Sequence, residues 1–347
     1  MMRTQGTIRS APFTTAAVLV LLGASAARSD QPELDLPLDC PSSGCIIQSF
    51  VDVDPGPGWL DHACGSASYN GHTGTDLRLP DLLQMAEGVR VRAAATGVVT
   101  ATRDGMPDRY YERSEEAALQ GRGCGNGVVI DHGSGWTTQY CHLKEGSVQV
   151  REGDRLNAGD PIGMIGLSGR TEFPHLELIV RQGDRVVDPF AVKGEVLSND
   201  ESNSHPGCDA QDTATIWSES AAAQLPYPDA LIINSGLADA VPSLREVDNR
   251  ARTLLKLNTQ TPALVAYGRA INLKTGDVLR VSLRDAAGGV LASGESDPMV
   301  NPRAQQMQAA GIRRPAAGWS AEGYTALIEV LRNGATHRKE ELMISGP

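Results

Sequence analysis

Five side chains in three short stretches of this sequence have the types and spacing needed for metal-assisted hydrolysis. The first stretch is Gly71-His72-Thr73-Gly74-Thr75-Asp76. A neutral imidazole nitrogen and a hard carboxylate oxygen are both good zinc ligands. The glycines between them let the backbone bring both groups to one point. The second stretch is Thr138-Gln139-Tyr140-Cys141-His142-Leu143, where strand alternation places Thr138, Tyr140 and His142 on one face. The third is Pro174-His175-Leu176-Glu177-Leu178-Ile179-Val180. A period of two sends His175 and Glu177 to one side and Leu176, Leu178 and Val180 to the other. Each stretch alone also fits an ordinary structural reading; together they outline a site.

Such a site needs a β scaffold, and the surrounding sequence supplies one. Short apolar or alternating runs at Val89–Ala93, Gly97–Ala101, Gly127–Asp131, Trp136–Leu143, Pro161–Ile165 and Leu176–Arg181 are separated by glycine-rich turns. That rhythm predicts a mainly β, antiparallel architecture. The charged stretch Asp104–Gly123 interrupts it and reads as a surface insertion with one helical turn. His132 lies in a turn and reads as structural, Asn126 as part of a groove wall. His62, His205 and His337 read as exposed.

The chain has 347 residues, enough for two domains. Residues 1–26 read as a signal peptide: Arg3 and Arg9, an apolar run over 16–22, then Ala24-Ser25-Ala26. The apolar run is short for a bilayer, and no later segment is long and apolar enough to cross one. Residues 27–60 read as an extended lead-in, 61–192 as the domain bearing the site, 193–212 as a polar linker and 213–347 as a small β-sandwich. In that last part, Ala263–Ile271, Val278–Leu283, Val290–Ser293 and Tyr324–Arg332 are strand candidates, and residues 303–311 a short helix. It carries no metal cluster, nucleophile motif or phosphate loop and reads as an accessory or binding module. Six cysteines in an exported chain predict disulfides. Cys124 and Cys141 flank a hairpin and can bridge it; Cys40, Cys45, Cys64 and Cys208 allow three pairings. The formal charge of −11 becomes −13 without the leader, which disfavours nucleic acid and anionic membranes as partners.

The stretches HTGTD, GNGVVIDHGSGWTTQYCHL, VREGDRLNAGDPIGMIGLSGR and PHLELIVRQGDRVVDP, in this order over residues 70–190, resemble the LytM/lysostaphin zinc metallopeptidases, peptidase family M23. The resemblance implies an antiparallel β domain of the duplicated-hybrid-motif type, with zinc at the floor of an open groove. It implies His72 and Asp76 as zinc ligands, and His142 and His175 as catalytic groups beside the attacking water. Glu177 stands where the family has its third zinc-binding histidine. Carboxylate oxygen also binds zinc, but two carboxylates cancel the ion's charge, which predicts a less acidified water. The implied activity is hydrolysis of peptidoglycan stem peptides in the periplasm or outside the cell. The alternative is a catalytically degenerate relative that binds cell wall or regulates another hydrolase.

Overall fold

The computed structural model describes residues 1–2, 31–41, 44–193 and 213–347. Most of the predicted signal peptide, most of the predicted linker, His205 and Cys208 lie outside the described residues.

The site-bearing half is built on antiparallel strands. In chain order these are β1 (Ile46–Ser49), β2 (Thr75–Arg78), β3 (Arg90–Arg92), β4 (Gly97–Arg103), β5 (Asn126–Gly133), β6 (Trp136–Leu143), β7 (Arg155–Leu156), β8 (Pro161–Met164), β9 (His175–Gln182) and β10 (Arg185–Val187). The main sheet runs β1-β2-β9-β6-β5-β4-β7, with β10 also on β9, while β3 pairs β8 separately. All six strand expectations in this half correspond to strands. One face of the sheet is apolar: Leu176, Leu178 and Val180 of β9 are buried with Val128, Ile130 and Tyr140. The lead-in is more than an extension. Leu34, Leu38 and Phe50 enter the same core, and Ile46–Ser49 forms the sheet edge against β2. Disulfides join Cys124 to Cys141 and Cys40 to Cys45, and Cys64 is also disulfide-bonded.

Two short strands, β11 (Val192–Lys193) and β12 (Thr213–Ala214), pair with each other. Beyond them come β13 (Leu231–Ala238), β14 (Ala263–Leu273), β15 (Val278–Asp285), β16 (Val290–Glu295), β17 (Arg303–Arg313), β18 (Tyr324–Arg332) and β19 (Ala335–Ile344). They form a three-stranded sheet β13-β14-β17 and a four-stranded sheet β16-β15-β18-β19. Leu264, Ala266 and Ala270 of the first sheet share a core with Leu279, Val281, Leu283, Ala326, Ile328 and Val330 of the second, which makes this half a β-sandwich.

The predicted helix at residues 303–311 is instead the strand β17, paired with β14 over nearly its whole length. Its Ala, Gln and Met residues favour helix in isolation, but the ladder and the close approach of Gly311 to Leu264 O override that preference. β14 is buried on both faces, so its other face must also be covered. Tyr267 and Arg269 on that face meet Val247 and Asp248 of the helix α3 (Leu244–Asp248, preceded in the chain by α1, Leu82–Glu87, and α2, Glu219–Ala222).

His337 is half-buried on β19, contrary to expectation, with Nε2 2.7 Å from Asp229 Oδ2. Nearby, buried Asp277 accepts two guanidinium hydrogen bonds from Arg332, each 2.8 Å, and one from the Lys274 amide. Burial raises its pKa, but these donors outweigh burial and hold the carboxyl below its ordinary value. The pair therefore stabilises the fold above about pH 4, the unfolded carboxyl value, and the contribution is lost as pH falls through the folded value. Asp277→Asn should cost about 2–3 kcal/mol at neutral pH. In urea titrations that cost should fade as pH falls below the ordinary carboxyl value; a pH-independent cost contradicts the assignment.

Candidate active site

β2 and β9 lie side by side with Asp76 opposite Glu177 and Arg78 opposite His175. Paired residues in antiparallel strands point to the same face. These four side chains therefore form a block on the groove side, with the leucines of β9 behind them. His72 reaches the block from the turn before β2. Gly74 makes room for Glu177: a Cβ there would lie 2.6 Å from Glu177 Cγ.

His142 arrives by a route the alternation rule did not foresee. Tyr140 pairs with Leu178 and sits in the core, its hydroxyl accepting from Ala94 N at 2.7 Å. A regular strand would point His142 to that same side. His142 instead has φ +62, a left-handed conformation uncommon for residues other than glycine, and its ring turns into the groove. Its amide donates to Cys124 O at 2.8 Å, and its carbonyl accepts from Gly166 N at 3.0 Å. The Cys124–Cys141 disulfide closes the same corner. The expected shared face of Thr138, Tyr140 and His142 therefore breaks at its last member.

All three imidazoles are held in the same way. His72 Nδ1 lies 2.7 Å from Phe50 O, His142 Nδ1 2.8 Å from Ser168 O, and His175 Nδ1 2.9 Å from Phe173 O. A carbonyl only accepts, so each Nδ1 carries the proton and each Nε2 faces the centre. His72 Nε2 is 3.1 Å from Asp76 Oδ1 and 3.8 Å from Glu177 Oε1. His142 Nε2 is 3.4 Å from Glu177 Oε2, and His175 Nε2 is 3.5 Å from Asp76 Oδ1. One ligand atom from each of His72, Asp76 and Glu177 lies within 4.8 Å of the others. Ligands about 2.0–2.2 Å from a tetrahedral zinc stand roughly 3.3 Å apart. The donor set fits such an ion in both type and spacing.

The charges fit as well. Burial lowers the His72 pKa, but Asp76, through charge and hydrogen bond, and Glu177 raise it to about 9. Burial outweighs the nearby carboxylates at His175 and pushes it down to about 4, leaving the ring neutral. Burial opposes ionisation of Asp76, yet the surrounding imidazoles bring it down to about 2.

Asp76, His142, His175 and Glu177 form the floor of a cavity of about 820 Å³. Tyr111, Arg113, Glu116 and Gly123 of the insertion line one side, with Arg170 and Phe173 beside them; Gln48, Ser49, Tyr69 and Ala304 complete the wall. The insertion does contain a helical turn, Arg113–Glu115. Asp104 and Asp108 pin its root by accepting from Gly146 N and Leu167 N. Asn126 does not line the groove; its buried amide joins Met106 to Leu143 O. His132 bridges Thr96 O and Thr138, as a structural residue does. His62, expected to be exposed, packs on Phe190 at 5.2 Å and stands 3.5 Å from Asp188. The sequence reading missed Tyr69, stacked on His72 at 4.3 Å, and Arg78. Alternation from Asp76 was a signal for Arg78; nothing local marked Tyr69.

The sequence pattern of peptidase family M23 matches residues 70–189. Those residues contain all five site side chains. They form a peptidase family M23 domain. Among curated relatives of this M23 domain, the peptidoglycan DD-endopeptidase ShyA of Vibrio cholerae is 36% identical over 112 residues, 32% of this chain and 20% of the relative. The DD-carboxypeptidase/endopeptidase Mpg of Neisseria meningitidis is 34% identical over 123 residues, 35% of this chain and 22% of the relative. The chain thus spans about one fifth of the length of these relatives. Among solved structures, a zinc-containing peptidase from Vibrio cholerae aligns with a TM-score of 0.32 and 24% identity, covering 46% of this chain and 39% of that one. Among the described residues no helix is long and apolar enough to cross a membrane.

An imidazole must be unprotonated at Nε2 to hold a metal there, and His72 without metal keeps its second proton up to about pH 9. Zinc uptake at pH 7 should therefore release about one proton. Affinity should climb about tenfold per pH unit between pH 6 and 8 and level off above pH 9. Calorimetry in buffers of different ionisation enthalpy counts the proton; uptake without proton release contradicts the His72 assignment.

Proposed function

We propose that this chain is a zinc-dependent endopeptidase that hydrolyses peptide bonds of bacterial peptidoglycan, acting in the periplasm or outside the cell. The observation that carries the reading is the convergence of three carbonyl-clamped Nε2 atoms and two carboxylates on the floor of one groove. The name of the Vibrio cholerae relative, a peptidoglycan DD-endopeptidase, supports the substrate class. The 820 Å³ groove has room for an extended peptide.

His72, Asp76 and Glu177 would hold the ion. A zinc ion bound there would polarise the scissile carbonyl and acidify a water. His142 and His175 flank the three ligands, each with Nδ1–H fixed and Nε2 aimed at the reacting region. One Nε2 takes the proton of the attacking water. The other ring, in its doubly protonated form, donates its Nε2–H to the developing oxyanion, and the proton taken from the water then passes to the leaving amine. Burial keeps His175 neutral, so its Nε2 is open to receive a proton. The carbonyl clamps keep either ring from presenting the wrong nitrogen. We assign residues 61–192 to the peptidase domain, 193–212 to a linker and 213–347 to an accessory sandwich that binds a cell-wall or protein partner.

His72→Ala and Glu177→Gln should abolish stoichiometric zinc and lower turnover of cross-linked stem peptides at least 100-fold. His142→Ala and His175→Ala should keep zinc and lose roughly 10²–10⁴-fold in kcat. Wall binding without cleavage by the zinc-loaded wild type would sink the enzyme reading and favour a degenerate, wall-binding relative.

A further inference from the structure

The site carries a charge deficit that a neighbouring residue is placed to correct. With His72, Asp76 and Glu177 as ligands, two carboxylates cancel a divalent cation, whereas an imidazole at position 177 would leave one positive charge. Arg78 lies two residues beyond Asp76 on β2, on the same groove-facing side, and pairs with His175. It is only 3% exposed.

Its hydrogen-bond partners carry no charge, although the Asp248 and Asp76 carboxylates lie near enough to act on it. Nη1 donates to Gln48 Oε1 at 2.7 Å and Nη2 to Gln305 Oε1 at 3.2 Å, both neutral amides. The guanidinium carbon lies 4.2 Å from the centre of the Phe173 ring, which in turn packs on His175 at 4.6 Å. Nε is buried without a hydrogen-bond partner. The other cations along this seam have anions of their own: Arg269 meets Asp248 at 2.6 Å, and Arg250 meets Asp81 at 2.7 Å. A link needed only to join the two halves would be better served by a carboxylate. Partners that satisfy the N–H groups without cancelling the charge leave its field intact. Arginine is suited to this place because it stays protonated when buried.

We propose that Arg78 is a positioning residue that supplies the positive charge forgone by carrying Glu177, so that the metal cage faces the scissile carbonyl as a net cation. The inference rests on the zinc-peptidase reading above. Two residues along a strand span about 6.6 Å. That step separates the backbone positions; a unit charge on the order of 10 Å from the cage, partly shielded by protein, alters an equilibrium by about one order of magnitude.

The sign of the effect separates this role from a structural one. A nearby cation repels zinc while it stabilises an oxyanion. Arg78→Met should therefore tighten zinc, measured by chelator competition, about tenfold or more, while kcat at saturating zinc falls about tenfold or more. Arg78→Lys should recover most of both changes. Gln305→Glu sets a carboxylate against Arg78 without removing it, and should give the same opposed pair of changes even if Arg78→Met does not fold. Zinc loosened together with lost kcat, or no change with Gln305→Glu, would overturn the inference while leaving the peptidase reading intact. Wild type that neither binds zinc nor cleaves would overturn both.

Discussion

Three backbone carbonyls decide what this site can do. Phe50 O, Ser168 O and Phe173 O each take the Nδ1 proton of a histidine and leave Nε2 facing inward. An unclamped imidazole could present either nitrogen, and three of them would seldom agree. The carbonyls come from two connections, Phe50 just after β1 and Ser168 and Phe173 both between β8 and β9, so the site depends on how those segments are fixed. Phe50 is anchored in the core of the sheet. Ser168 is braced through its hydroxyl, which donates to Leu143 O at 2.7 Å and accepts from Asn126 N at 2.9 Å. Phe173 sits where Thr171 Oγ1 donates to its carbonyl at 2.8 Å. These supports are not ligands, yet each sets the aim of one.

His142 shows what that aim costs. Its left-handed backbone is an unfavourable conformation for a residue with a side chain, worth about 1–3 kcal/mol. The Cys124–Cys141 bridge and the hydrogen bonds to Cys124 O and from Gly166 N hold it there. Gly74 plays the opposite part, using the lack of a Cβ to let Glu177 approach. The same corner of the fold thus holds one strained residue and one vacant position, both serving convergence on a single point.

Much of this was legible in the sequence where a simple period governed it. β9 alternates strictly, so the sequence itself puts His175 and Glu177 on one face and the leucines on the other. His72 and Asp76 were legible from their spacing and the glycines around them. The His142 orientation was not, because a single positive φ reverses what alternation predicts. Residues 303–311 were misread because helix-favouring composition says nothing of a ladder to β14, some forty residues earlier in the chain. Arg78 obeyed alternation from Asp76, but its meaning depends on Gln305, more than two hundred residues away. Long-range partners of this kind have no local signature.

The central claim is that all three rings share one tautomer and converge on one ion through Nε2. Long-range ¹⁵N–¹H correlation on the zinc-loaded protein, with ¹⁵N-labelled histidine, reads this directly. The account predicts protonated Nδ1 on His72, His142 and His175, with His72 Nε2 shifted to the metal-bound range. A protonated Nε2 on His72, or Nδ1 as its metal-bound nitrogen, would contradict it.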